Sequence, residues 1–281
     1  MRVFLPFLML ATTACTGDDD KDESGMVEET GPAEETGQKK QPVTYSIQAS
    51  VLDAVTQMPV AEGLCAGLLD PTPVISGDDA VTLGTGTTDA NGQVTFADIT
   101  AKPTLGLLVQ VDDCPDSTKD LVGIPTNTGV LPASYADAKD GETVQIPTFA
   151  IDVATIGGFA ASAPAAGYKG DLTMGGFLFG FVLDGNNAPI GGATVSTETG
   201  SPTYLYVDAD AKDGGLFASI KGKAPVANTA TDPLTGGFLV ADADIGQYAA
   251  SADGFTFEPT LIGGFPGQAV VIAFIGTPAS M

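Results

Sequence analysis

The sequence has no histidine and no tryptophan, and only 11 lysines and arginines stand against 35 aspartates and glutamates. Without histidine the commonest general base and the commonest zinc ligand are missing, and without tryptophan so is the strongest aromatic stacking platform. A net charge of −24 would repel nucleic acid and anionic lipid headgroups, so no nucleic-acid partner is expected. Long Ala/Leu/Glu/Lys stretches of helical period are also lacking. In their place, 36 glycines and 19 prolines punctuate short runs of Val, Ile, Thr, Phe and Leu. The composition is that of an all-β protein that is not an enzyme.

Residues 1–14 carry one charge, Arg2, then an apolar run, then small residues. This is the pattern of a secretory signal too short to remain as a membrane span. The segment Ala11-Thr-Thr-Ala-Cys15 that follows resembles the lipobox of bacterial lipoproteins, with Thr12 where leucine is usual. The resemblance implies lipidation of Cys15 and a membrane partner reached through that anchor. Ordinary cleavage with a spare thiol at Cys15 is the alternative. Removal of the leader leaves −25, which keeps an exposed protein soluble or attracts cations and basic partners.

Residues 15–42 read as a disordered acidic tether. From 16 to 42 there are nine acidic and three basic residues and almost nothing apolar, too little to offset the entropy of ordering. With Cys15 assigned to lipid, Cys65 and Cys114 remain as an even pair in an oxidising compartment, where a disulfide is expected. Two buried free thiols are the other possibility. No basic residue stands beside either cysteine to lower its pKa, so a catalytic thiol is not expected.

Most of the remaining chain reads as one module written twice. Phe179-Gly-Phe-Val-Leu-Asp-Gly-Asn-Asn-Ala-Pro-Ile-Gly-Gly-Ala-Thr-Val195 has a weaker counterpart in residues 47–65. Each is a strand, an Asp-led turn, a Pro followed by a β-branched residue, a small-residue corner and a second strand. In this repeat Pro59 meets Pro189, each followed six positions on by Cys65 or Val195. Thr88-Asp89 meets Thr231-Asp232, Phe96 meets Phe238, residues 107–112 meet 248–253, and 143–149 meet 268–274. Strands are predicted at 45–52, 63–69, 93–96, 105–111 and 143–151, and again at 177–183, 193–197, 204–207, 237–240, 246–252 and 269–275. Residues 123–141 read as loop with a helical turn near 134–139, and 157–176 as irregular. The expected organisation is a signal peptide at 1–14, the tether at 15–42, a β-sandwich at 43–153, a linker at 154–176, a second β-sandwich at 177–276 and a tail at 277–281.

These residues resemble the carboxypeptidase regulatory-like, or transthyretin-like, Ig-like β-sandwich domains of secreted bacterial proteins. The second module carries Val182-Leu-Asp184, Pro189-Ile-Gly-Gly-Ala-Thr-Val195, Thr231-Asp-Pro-Leu-Thr-Gly-Gly-Phe238 and Asp253-Gly-Phe255. The first carries Val51-Leu-Asp53, Pro59-Val60 and Thr88-Asp-Ala-Asn-Gly-Gln-Val94, but has Gly63-Leu64 for Gly-Ala and Asp113-Cys-Pro115 near the Gly-aromatic pair. The resemblance implies non-catalytic accessory, adhesive or carbohydrate-associated units.

Two features carry candidate binding chemistry. Asp208, Asp210 and Asp213 precede a Gly, as in a Ca2+ loop, though the spacing is one residue too wide and no Glu closes it; a polar hairpin turn gives the same pattern. Tyr204 and Tyr206 alternate onto one sheet face, where they line a glycan or protein contact or cover the core. The function expected is a lipid-anchored envelope spacer or adhesin at the bacterial outer membrane, facing the periplasm or the surface, with an envelope protein or glycan as possible partner. A glycan- or Ca2+-binding accessory protein acting through the second module is the alternative.

Overall fold

In a computed structural model, residues 43–60, 62–118, 120–210, 215–222 and 224–279 are described. The signal, Cys15, the tether and Asp213 lie outside them. From residue 43 on, the described residues gather into one compact unit.

The first half begins with β1 (Tyr45–Asp53), followed by β2 (Leu64–Asp70), β3 (Val81–Thr87), β4 (Gln93–Ile99), β5 (Leu107–Asp113), β6 (Thr126–Val130) and β7 (Thr143–Ala150). Helices α1 (Val153–Ser162) and α2 (Leu172–Gly175) come next. The second half holds β8 (Phe177–Asp184), β9 (Thr194–Thr197), β10 (Thr203–Tyr206), β11 (Ala218–Lys221), β12 (Ala224–Ala227) and β13 (Gly237–Ala241). It closes with β14 (Gly246–Ser251), β15 (Phe255–Thr256), β16 (Thr260–Ile262) and β17 (Ala269–Pro278).

One large sheet runs through both halves in the order β10-β13-β8-β17-β6-β5-β2-β3, with β15 attached to β17. Two three-stranded sheets, β4-β1-β7 and β16-β14-β9, cover it, one on each half. In the first half, alternate residues of β1 (Tyr45, Ile47, Ala49, Val51) and of β2 and β5 (Leu64, Leu68, Val109) meet in one core. In the second, Leu178 and Val182 of β8 meet Val195, Tyr248 and Phe274. This is the expected period-two burial of facing sheets, so the protein is a pair of β-sandwiches in tandem.

β8 departs from strict alternation, being buried on both faces for its first four residues. Its Phe177 and Phe179 point away from the sandwich, into a third cluster made with Ile156, Phe159 and Leu172 of the helices and with Ala54, Ile124 and Ile151 of the first half. A strand covered on both sides needs a continuous apolar run, and Phe-Leu-Phe-Gly-Phe-Val-Leu supplies it. Gly180 leaves room inside the sandwich, since a Cβ there would lie 2.8 Å from Phe238 Cζ.

The stretch read as an irregular linker is helical. Asp152 caps α1, its carboxylate accepting from Thr155 N at 2.6 Å, and Asp171 caps α2 in the same way through Thr173 N at 2.9 Å. Residues 123–141 hold a full strand, β6, where a loop was expected, with a 3-10 turn at Pro132–Ser134. Strands β3, β11, β12, β15 and β16 are also additional to those predicted.

The internal repeat is present, but its register differs from that expected from the sequence. Thr88 Oγ1 accepts from Leu64 N at 2.9 Å, and Thr231 Oγ1 accepts from Ala193 N at 2.9 Å. Val51 N donates to Gly92 O at 2.7 Å and Val182 N donates to Gly236 O at 2.8 Å. Hence Leu64 matches Ala193, which places Cys65 opposite Thr194 and not Val195. Val94, not Phe96, matches Phe238. The parallel pairs Val51 with Thr148 and Val182 with Phe274 make Thr148, not Phe149, the counterpart of Phe274. The Cys65 and Phe274 corrections are shifts of one residue, which on a strand exchange the two faces, whereas the Phe238 correction is a shift of two and keeps the face.

Candidate functional site

Helix α1 crosses the outer face of the large sheet and leaves a cleft of about 550 Å3 beside it. Phe159, Phe179 and Phe181 line it from the helix and β8, Val207 and Leu216 from the segments flanking β10 and β11, and Leu234 from the turn before β13. The lining is chiefly apolar, and Leu234 is exposed at its lip. Of its two threonines, Thr235 Oγ1 accepts from Gly237 N at 3.2 Å, while Thr155 takes part through its backbone N, which donates to the Asp152 cap. Among its described lining residues there is no charged side chain.

A second cleft of about 590 Å3 lies between Val74 of the first half and residues 242–245 and 264–266 of the second. At its side the Tyr168 hydroxyl donates to Asp242 Oδ1 at 3.0 Å. Burial, with the neighbouring Asp242 and Asp171 carboxylates, pushes the Tyr168 phenol up to about 12.

Cys65 and Cys114 are joined in a disulfide with their Cα atoms 4.9 Å apart. It ties β2 to the end of β5, two strands already paired between Leu64 and Leu69. The tyrosine pair is brought onto one side, as alternation requires. Tyr206 is 4 % exposed and Tyr204 is half-buried against the same core. The Tyr206 hydroxyl accepts from Val195 N at 2.9 Å, bracing β9 against β10 from inside the sandwich. Asp208 and Asp210 lie just beyond β10, where Asp210 N donates to Asp208 Oδ1 at 2.8 Å. That bond belongs to an Asx turn, and among the described residues no three His, Cys, Asp or Glu side chains are grouped to hold a metal.

Two other aspartates that the sequence marks serve turns. Asp184 Oδ1 accepts from Asn186 N and Ala188 N, both at 2.8 Å, and Asp89 Oδ1 accepts from Gln93 N at 2.9 Å and Asn91 N at 2.8 Å. Hydrogen bonds from Gln93 and Asn91 hold the Asp89 carboxyl below its ordinary range, and that from Ala188 does so for Asp184.

Sequence reasoning did not single out the aromatic and cationic clasp on the first half. Tyr45 and Tyr135 stack with centroids 6.4 Å apart, and their hydroxyls donate to Ala101 O at 2.8 Å and Pro103 O at 2.6 Å. Lys102 Nζ lies 5.5 Å from the Tyr45 ring centroid and donates to Ala136 O and Ala138 O, each at 2.8 Å. Its signal was a lysine flanked by small residues in a loop, which is too common to be distinctive.

No protein-family model and no curated protein matches the chain. Among solved structures it is similar to the Bacillus anthracis TIE protein, at 11 % identity over 84 % of this chain and 34 % of that one, with a TM-score of 0.27. A Streptococcal ancillary pilin is similar at 14 % identity over 85 % of this chain and 64 % of that one, TM-score 0.24. The shaft pilin SpaA from Lactobacillus rhamnosus GG is similar at 14 % identity over 85 % and 98 %, TM-score 0.22. This chain therefore spans about a third of the first protein and under two thirds of the second. At such scores these likenesses carry nothing about what the chain does.

Proposed function

We propose that this protein is a non-catalytic spacer or adhesive module of the bacterial cell envelope, lipidated at Cys15 and carried on the acidic tether of residues 16–42. The observation that carries the reading is how the polar side chains are used. Asp89, Asp184, Thr88, Thr231, Tyr206, Asp208 and Lys102 each hold a turn, a corner or a loop, so the chemistry-bearing residues stabilise the sandwiches themselves. The apolar stretch of residues 1–14 and the small residues before Cys15 support export and anchoring. A tandem pair of sandwiches sharing a sheet suits a spacer, because a shared sheet resists hinge motion between its halves.

Mass spectrometry of protein from the membrane fraction tests the anchor. Lipid mass on the N-terminal peptide beginning at Cys15, and release into the soluble fraction on Cys15→Ser, are the expected results. A free Cys15 thiol on membrane-associated protein would remove the anchor from this reading.

A further inference from the structure

We infer that both sandwiches are built to withstand tension applied between residues 43 and 279. In each half the first strand and the last strand lie side by side and run parallel. β1 pairs with β7 through eight consecutive positions, Ser46 with Thr143 to Asp53 with Ala150. β8 pairs with β17 through eight more, Phe177 with Ala269 to Asp184 with Gly276. Chain enters each half at the start of one strand and leaves at the end of its parallel neighbour. A pull along the chain therefore slides the two strands past each other, loading the whole ladder of slanted hydrogen bonds at once. Antiparallel terminal strands would instead open like a zipper, one bond at a time.

Four further features bear on such a load. β17 also pairs in parallel with β6, from Ala269 with Thr126 to Val271 with Thr128, so the last strand grips both halves. Beside that pairing, the Gln268 side chain accepts from Asn127 Nδ2 at 2.7 Å and from Gln110 Nε2 at 3.1 Å, a polar clamp across the junction. At the far end of β17, β15 pairs Phe255 with Pro278 and Thr256 with Thr277, and the two threonine hydroxyls lie 2.7 Å apart. The Cys65–Cys114 bond locks the 49-position stretch between them against extension.

This inference rests on the spacer reading only in supposing that the chain is held at both ends; the geometry is independent of any anchor. The test is single-molecule pulling on the full chain with attachment points placed in two ways. Handles at Val43 and Ala279 load the parallel strands in sliding. Handles at Val43 and Asp140 pull β1 and β7 from their common end, where Thr44 N donates to Asp140 Oδ1 at 3.0 Å and Gly141 N donates to Thr44 O at 2.7 Å. Forced rupture is set by the unfolding barrier, and we expect the first geometry to require at least about twice the force of the second. Reductant identifies the first-half event, since freeing the 49-position stretch lengthens it by about 170 Å. Equal forces, or a weaker first geometry, would overturn the inference. That outcome would leave a passive spacer standing, to be judged by the anchor experiment alone.

Discussion

At the scale of single residues, Thr148 stands apart from the other buried polar side chains of the described residues. It is fully buried in β7, and its hydroxyl has no hydrogen-bond partner. The repeat explains the position, because the corresponding residue of the second half is Phe274, which stacks on Phe238 with centroids 5.8 Å apart. Substituting Thr148→Val keeps the shape and removes an unpaired polar group. The expected gain is about 1–2 kcal/mol, read as a higher denaturation midpoint at unchanged slope. The tyrosines make a second prediction. Burial pushes the phenols of Tyr45, Tyr135, Tyr168 and Tyr248 up to about 12, from an ordinary 10.0. A raised folded pKa means that this part of the stability is complete below pH 10 and is lost as pH rises through about 12. Tyrosinate absorbance should therefore titrate near pH 12 in the folded protein, with the melting temperature falling across the same interval.

At the scale of elements, the strands that alternate or run continuously apolar could be read directly. β1, β5, β8 and β14 lie within two residues of their expected ends. β6 could not be, because Thr-Asn-Thr-Gly-Val has no apolar signature. Its threonines and asparagine are buried by both halves at once and satisfied there, Thr128 Oγ1 accepting from Phe149 N at 2.9 Å and Asn127 donating to Gln268. Helix α1 was hidden for a different reason. Gly157-Gly158 weakens its propensity, and only Ile156 and Phe159 are buried, too few to set up a period. Its Asp152 cap was the one local signal. Of the site residues, the cysteine pair was legible by counting. The role of Tyr206 was not, since an inward hydroxyl reaching Val195 N depends on a facing strand. Because the disulfide joins β2 and β5, reducing it should lower stability by about 4 kcal/mol on the chain-entropy estimate for a 49-position loop, measured by denaturant unfolding with and without reductant.

At the scale of the whole molecule, the two halves are more closely joined than a tandem sequence repeat suggests. Ala54, Ile124 and Ile151 of the first half share a buried cluster with Phe177, Phe179 and Leu239 of the second, and one sheet crosses between them. Loss of either half exposes apolar surface on the other. Thermal unfolding should give a single transition with coincident calorimetric and van't Hoff enthalpies. Two well-separated transitions would show that the halves unfold independently.

The pairing of β17 with β6 also sets an order on biogenesis. A first half emerging from a ribosome has one side of β6 bare, since the strand that covers it, β17, is synthesised after every other strand of the second half. Until residues 269–271 arrive, that bare edge can template a strand from any nascent neighbour, so a chaperone or slow emergence would matter most for this edge.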